Sequence, residues 1–300
     1  MLMTESAFAK FRSRLELNEK EQADASKRQQ EIRGQMDEKF DVEHDFLTGS
    51  YARHTKTKPL KDVDIFCVLG DDERHYRKKA PHELLDAVVD AVAEKYGSSC
   101  VKRQRRSVSV NLGVTPDLDD NTNYRVVSFD VVPAFALEDD YEIPDLGSNG
   151  GAGGWTKTNP RVHAEKAVIV QQAYSSEWKG LVRMMKYWNN HHDKPIKPSF
   201  LIEVMAMEVL HAPYGGERAR EMQFFFAGLA GRIHETWNDP AGLGPPVSDA
   251  MDATLRTAAE KALRGAEREA AQALALARQG RQGDALKVWR SLFGPMFPLS

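Results

Sequence analysis

Residues 46–70 read FLTGSYARHTKTKPLKDVDIFCVLG and residues 125–135 read RVVSFDVVPAF. The first stretch predicts a Gly49-Ser50 turn with a short helix over 50–54, then a strand over 62–69 that opens with Asp62 and Asp64. Side chains alternate faces along an extended chain, so the two aspartates are expected to project together while Val63, Ile65, Cys67 and Leu69 turn to a core. The second stretch predicts a strand over 124–133, ending at Pro133, with Val127, Phe129 and Val131 facing the core and Asp130 on the other face with Ser128. If these strands are neighbours, three carboxylates converge, which is unfavourable unless a cation sits among them. Hard divalent cations bind carboxylate and phosphate oxygens together, and two of them about 3.5–4 Å apart activate an attacking hydroxyl and stabilise a leaving pyrophosphate. Alone, Asp-x-Asp is most often a pair of solvated acids and Gly-Ser only a turn. Asp130 shifts the balance, because a lone acid among valines and a phenylalanine is costly to bury without a cation or donors.

The formal net charge of -3 over 300 residues advertises no nucleic-acid partner. Cys67 and Cys100 lack metal-type spacing and read as reduced core thiols. The N-terminal stretch MLMTESAFAKFRSRLELNEKEQ interrupts its apolar residues with charge, so it reads as no signal peptide, and no apolar run reaches membrane-spanning length. The expected compartment is the cytoplasm.

Working outward, Phe8, Phe11 and Leu15 stand at helical spacing in a proline-free polar stretch and predict one long helix from Thr4 to about Met36. A strand over 41–47 feeds the Gly49-Ser50 turn, where Ser50 and neighbouring backbone N–H groups suit phosphate oxygens; Lys56, Lys58 and Lys61 follow. Pro81 opens a core helix striped with Leu85, Val88, Val89 and Val92. Further strands are expected at 99–102 and 107–112, and the basic run Lys102, Arg103, Arg105, Arg106 is either a solvated edge or a surface for phosphates or a partner. Residues 145–158 hold five glycines and read as an interlobe linker or a lid, with Trp155 docking somewhere. Asn159 and Pro160 open the helical half, where Asn159 reads as a helix cap or a contact to a base edge. Lys186 falls at the margin of an apolar helix face and is expected to reach solvent or a cleft. Ser199 sits in the first turn of another helix, a second anion site. Helices at 217–237, from Ser248 to about Arg278 and from Asp284 complete the chain.

On Gly49, Ser50, Asp62, Asp64 and Asp130 the chain resembles the nucleotidyltransferase superfamily, whose pattern is Gly-Ser, a short helix, Asp-x-Asp on a strand and a third acid on a later strand. The segments LVRMMKYWNN (181–190), PIKPSFLIE (195–203) and VWRSLFGPMFP (288–298) make it most similar to the bacterial CD-NTases, relatives of animal cyclic GMP-AMP synthase and the oligoadenylate synthases. That resemblance implies an α+β fold: a polymerase-beta-like core with a mixed sheet over 1–158, carrying the long N-terminal helix, and an all-helical lobe over 159–300 closing the cleft. It implies two Mg²⁺ ions, with Mn²⁺ as the alternative, held by Asp62, Asp64 and Asp130. Gly49 and Ser50 would hold the donor phosphates with help from Lys186 and Ser199, and Phe200 would stack on a base or serve the core. The implied activity is template-independent joining of nucleoside triphosphates, ATP among them, into a cyclic di- or trinucleotide messenger of anti-phage signalling, with pyrophosphate released. A HORMA-type or other regulatory protein is the implied partner; neither a membrane nor a long nucleic acid is required. The alternatives are a transferase tailing RNA ends and, ranked lower, a catalytically silent nucleotide-binding scaffold.

Overall fold

The computed structural model describes residues 2–300 apart from 61, 114, 117–123, 126, 127 and 148–152. Lys61, Val127 and the middle of the glycine-rich segment therefore lie outside the described residues. In chain order the elements are α1 (Thr4–Leu15), α2 (Glu19–Lys39), β1 (Val42–Thr48), α3 (Gly49–Ala52), β2 (Val63–Leu69), α4 (Pro81–Tyr96), β3 (Val101–Arg103) and β4 (Val108–Asn111). There follow β5 (Thr115–Pro116), β6 (Tyr124–Arg125), β7 (Ser128–Leu137), β8 (Asp140–Asp145) and β9 (Gly154–Thr158). The remaining helices are α5 (Pro160–Ala173), α6 (Trp178–His191), α7 (Ser199–Val209), α8 (Arg218–Arg232), α9 (Ala253–Arg278) and α10 (Gln282–Phe293).

Contacts group the chain into two units. One comprises Leu17–Arg53 and Pro59–Ala164, the other Met1–Glu16, His54–Lys58 and Glu165–Ser300. The first contains a mixed sheet in the order β1-β2-β7-β4-β3, with β8 added to β7 and β9 to β8. Among the described residues the β2·β7 pair alone is parallel. One face buries Val63, Ile65, Cys67, Leu69, Phe129 and Val131 against Ile32 and Met36 of α2 and Leu84, Leu85, Val88 and Val92 of α4. The opposite face carries Phe66, Val68, Ala134, Tyr141 and Ile143, with the Arg161 guanidinium 5.0 Å from the Phe46 ring centre.

Several elements depart from their sequence expectations. The N-terminal helix is two helices, because Asn18 forms a capping box: its side chain accepts from the Glu21 N–H at 2.9 Å, and the Glu21 carboxylate accepts from the Asn18 N–H at 2.8 Å. The separate α1 buries Phe8, Phe11 and Leu15 in the helical unit, where Phe8 meets Trp289 at 4.9 Å and Phe11 meets Phe293 at 4.9 Å. Strand β7 continues past Pro133 to Leu137. Among the described residues β4 pairs with Ser128–Val131 and β8 with Phe135–Leu137, so the proline sits in a gap on that side, where a missing N–H is tolerated. The described ends of the glycine-rich segment are strand, not linker or lid: β8 and β9 pair from Tyr141↔Thr158 to Asp145↔Gly154, and Trp155 packs 5.6 Å from Phe135. Helix α9 is capped by Asp252, whose carboxylate accepts from the Leu255 N–H at 2.8 Å, while Ser248 instead accepts from the Trp237 N–H at 2.9 Å. Cys67 is buried in the sheet, but Cys100 lies half-exposed in a turn. The tail after α10 is packed, with Phe297 fully buried.

The basic run is largely committed to local acids. Arg105 and Arg106 both grip Asp145, with Arg105 Nε donating at 2.5 Å and Arg106 Nη2 at 2.6 Å, and Arg103 pairs with Asp86. Burial would raise the Asp145 pKa, but the donors of Arg105, Arg106 and the Gly147 N–H outweigh it and hold the carboxyl below its usual value. A depressed carboxylate contributes stability above its unfolded pKa that is lost as pH falls through the folded one. Wild-type protein should therefore melt above Asp145→Asn at pH 7, and the gap should close below about pH 4. A pH-independent difference in thermal melting would contradict this account.

Candidate active site

β2 and β7 run parallel, and their register places Asp64 directly beside Asp130. Alternation then puts both on the sheet face of Phe66, Val68 and Ala134, opposite the face covered by α2 and α4. Adjacent strands lie roughly 4.8 Å apart, so the two acids are forced into proximity by the backbone. Asp62 arrives by another route. It precedes β2, its φ is +58°, and its carboxylate accepts a hydrogen bond from the Ser128 hydroxyl of β7 at 3.0 Å. Simple alternation along one strand, expected above, therefore does not position Asp62; the cross-strand serine does. A non-glycine residue in the left-handed region costs on the order of 1 kcal/mol or more and survives where surrounding contacts over-determine it.

Gly49 completes this group. It follows Thr48, the β1 partner of Asp64, has φ +65°, and opens α3 with Ser50 in the first turn. A Cβ built on Gly49 would overlap Asp64 Oδ2, so the backbone lies against that carboxylate as only glycine permits. Gly49→Ala is expected to displace Asp64 and lower turnover on the order of 10²-fold, as an ångström-scale misplacement does. Pyrophosphate release, with melting as the control for folding, checks it; an active alanine variant would show that the close approach is dispensable.

The side chains on this face, Asp64 beside Asp130 and Asp62 bonded to Ser128, are hard oxygen donors, a chemistry that fits Mg²⁺ or Mn²⁺ rather than a thiophilic metal. Among the described residues no group of three or more His, Cys, Asp or Glu side chains stands close enough together to hold a metal ion unaided. Mg²⁺ is ordinarily bound through one or two carboxylates together with substrate phosphates and water, so the fit rests on the donor chemistry of this face.

The other expected residues are placed as follows. Asn159 caps α5: its carbonyl oxygen accepts from the N–H groups of Arg161 and Val162, and its amide donates to Asp139 O and Asp140 Oδ1, each at 3.0 Å. Those bonds occupy the amide and leave the base-edge reading without support. Lys186, Ser199 and Phe200 belong to the helical unit. Lys186 is 4% exposed, and its ammonium donates to Glu203 at 2.5 Å, so it neither snorkels to solvent nor stands open. Ser199 is exposed at the start of α7, and Phe200 is half-buried against the helical core.

The profile of the Second Messenger Oligonucleotide or Dinucleotide Synthetase domain matches residues 2–169. The chain belongs to this synthetase family. A probable cyclic nucleotide synthase of Bacillus cereus is 27% identical over 83% of the chain and 81% of its own length. The cyclic AMP-AMP-AMP synthase of an Acinetobacter species is 29% identical over 86% of the chain and 73% of its own length. Among solved structures, CdnC of Escherichia coli MS115-1 in a complex with HORMA superposes with TM-score 0.71 at 18% identity, covering 98% of both chains, and so shares the fold; its structure with ATP gives 0.70. The synthetase is thus a CD-NTase, a nucleotidyltransferase of cyclic oligonucleotide synthesis.

Two features of the synthetase escaped the sequence reading. Ser128 was placed on the face of Asp130 but not recognised as the hydroxyl that anchors Asp62. Glu203 was passed over, although a lone acid in the run FLIEVMAM carries the signal that singled out Asp130. Arg183, 8% exposed, is likewise tied inside the helical unit, donating to the His54 carbonyl at 2.7 Å and to Glu16 at 2.6 Å.

Proposed function

We propose that the synthetase joins nucleoside triphosphates, ATP among them, into a cyclic di- or trinucleotide by attack of a ribose hydroxyl on an α-phosphate with release of pyrophosphate. The observation that carries this reading is the parallel register of Asp64 with Asp130, with Gly49 seated against Asp64 and Asp62 tied to Ser128. Asp62 and Asp64 would hold both divalent ions, and Asp130 the one beside the attacking hydroxyl. When bound, the ions would neutralise the triphosphate and favour the ionised hydroxyl. Asp130 then accepts the hydroxyl proton. Gly49 and Ser50 hold the donor phosphates through backbone N–H groups and the serine hydroxyl. Electrostatics and positioning suffice for such a displacement, so no protein nucleophile is invoked. Lys186, held by Glu203, and Ser199 are retained as phosphate ligands on the sequence resemblance alone.

The likeness to CdnC, solved with ATP and with HORMA, supports ATP as a substrate and a HORMA-type regulatory partner for this chain. Among the described residues no helix is long and apolar enough to cross a membrane. Cytoplasmic anti-phage signalling is the setting proposed. The test is purified protein with Mg²⁺ and mixed nucleoside triphosphates, read by pyrophosphate release and mass spectrometry. Phosphatase-resistant small products are expected, and chelation of the metal should remove them. Linear tails on added RNA as the sole product would overturn the cyclase reading.

A further inference from the structure

Outside the acids, the helical unit holds a cavity of ≈450 Å³ formed by α6, α9 and α10, lined among others by Trp188, His192, Lys261, Gly265, Arg268 and Leu292. That volume falls in the range of small-molecule sites. Its chemistry is unusual for a packing defect. Trp188 is 1% exposed, yet its indole Nε1–H has no hydrogen-bond partner among the described residues. Lys261 and Arg268 are exposed on α9 and make no ion pair among the described residues, whereas neighbouring Arg264 on the same helix pairs with Glu260 and Glu267. Glu269 also lines the cavity, so its charge is mixed, with the two cations in excess.

Gly265 supplies the space. It lies inside α9, where glycine is a poor helix residue, and a Cβ built on it would meet nothing within 4 Å. The helix surface is therefore open at the point where an ordinary helix-forming residue would begin to fill the cavity. His192 is held on the cavity wall by a 2.9 Å bond between its Nε2 and the Leu292 carbonyl, and its ring lies 5.2 Å from that of Trp188.

We propose that this cavity binds a small organic anion with a flat apolar body. The body lies over Gly265 against Leu292, and the anionic group meets Lys261 and Arg268. The probe is 8-anilino-1-naphthalenesulfonate, two ring systems with one sulfonate, titrated by fluorescence against the whole chain. Saturable one-site binding is expected. Gly265→Leu, which fills the cavity and raises helix propensity, should weaken it at least tenfold. So should Lys261→Ala combined with Arg268→Ala, two exposed positions whose change leaves the fold intact. The uncharged N-phenyl-1-naphthylamine should bind at least tenfold more weakly than the sulfonate. Binding that either variant leaves unchanged, equal binding of the uncharged analogue, or non-saturable binding of an adventitious additive only, overturns the proposal.

Discussion

Asp64→Asn should lower pyrophosphate release on the order of 10³-fold, because a ligand to divalent ions contributes several kcal/mol to the transition state and each 1.4 kcal/mol is about tenfold. The same change should leave melting unaltered or raise it. Asp64 faces Asp130 in register, and like charges directly opposite on neighbouring strands destabilise a sheet by up to about 1 kcal/mol. Asparagine keeps the shape of the side chain against Gly49 and removes the repulsion. Loss of activity with gain of stability marks a site built for a cation rather than for folding. A second readout separates metal binding from turnover: Mg²⁺ with a triphosphate should raise the melting temperature of the wild type, through preferential binding to the folded state, and not that of the variant. Retained turnover, or an equal shift in both proteins, would show that the metal site is misassigned.

Glu203→Leu should strongly destabilise the helical unit. The Lys186 and Glu203 side chains are 5% and 0% exposed, with N···O 2.5 Å. Removing the carboxylate leaves an ammonium in a dry environment, which costs about 3–5 kcal/mol. In a chain of this size that lowers melting on the order of 10 °C. Glu203→Leu combined with Lys186→Met should recover most of the loss, because a well-packed apolar pair of similar volume is often as stable as a buried ion pair. The double variant also isolates the phosphate role proposed for Lys186. With stability restored, a raised KM for ATP supports that role, and an unchanged KM removes it. If the single variant melts with the wild type, the pair is not the buried contact described.

Local periodicity made much of the fold legible. Val63, Ile65, Cys67 and Leu69 alternate into the core as the residue pattern dictates, and Pro81 opens α4 where its fixed φ and missing N–H do no harm. The break between α1 and α2 was also written locally, in Asn18 and Glu21, but the continuous polar stretch masked the capping box. What the residues could not specify alone depends on partners far along the chain. Asp62 is held by a serine 66 positions away, and Asn159 is engaged by Asp139 and Asp140 across a hairpin whose glycines suggested a linker.

The amino-acid sequence by itself determined the alternation of β2, the lone acids Asp130 and Glu203, and the glycine beside the acid-bearing strand, because each is a property of a few consecutive residues. Only the tertiary structure decided that β2 and β7 are parallel neighbours with Asp64 opposite Asp130, that Asp62 reaches that face through Ser128, and that Lys186 pairs with Glu203. Register and ion pairing are set by which strands and helices pack together, and long-range packing is a property of the whole core that no short segment encodes.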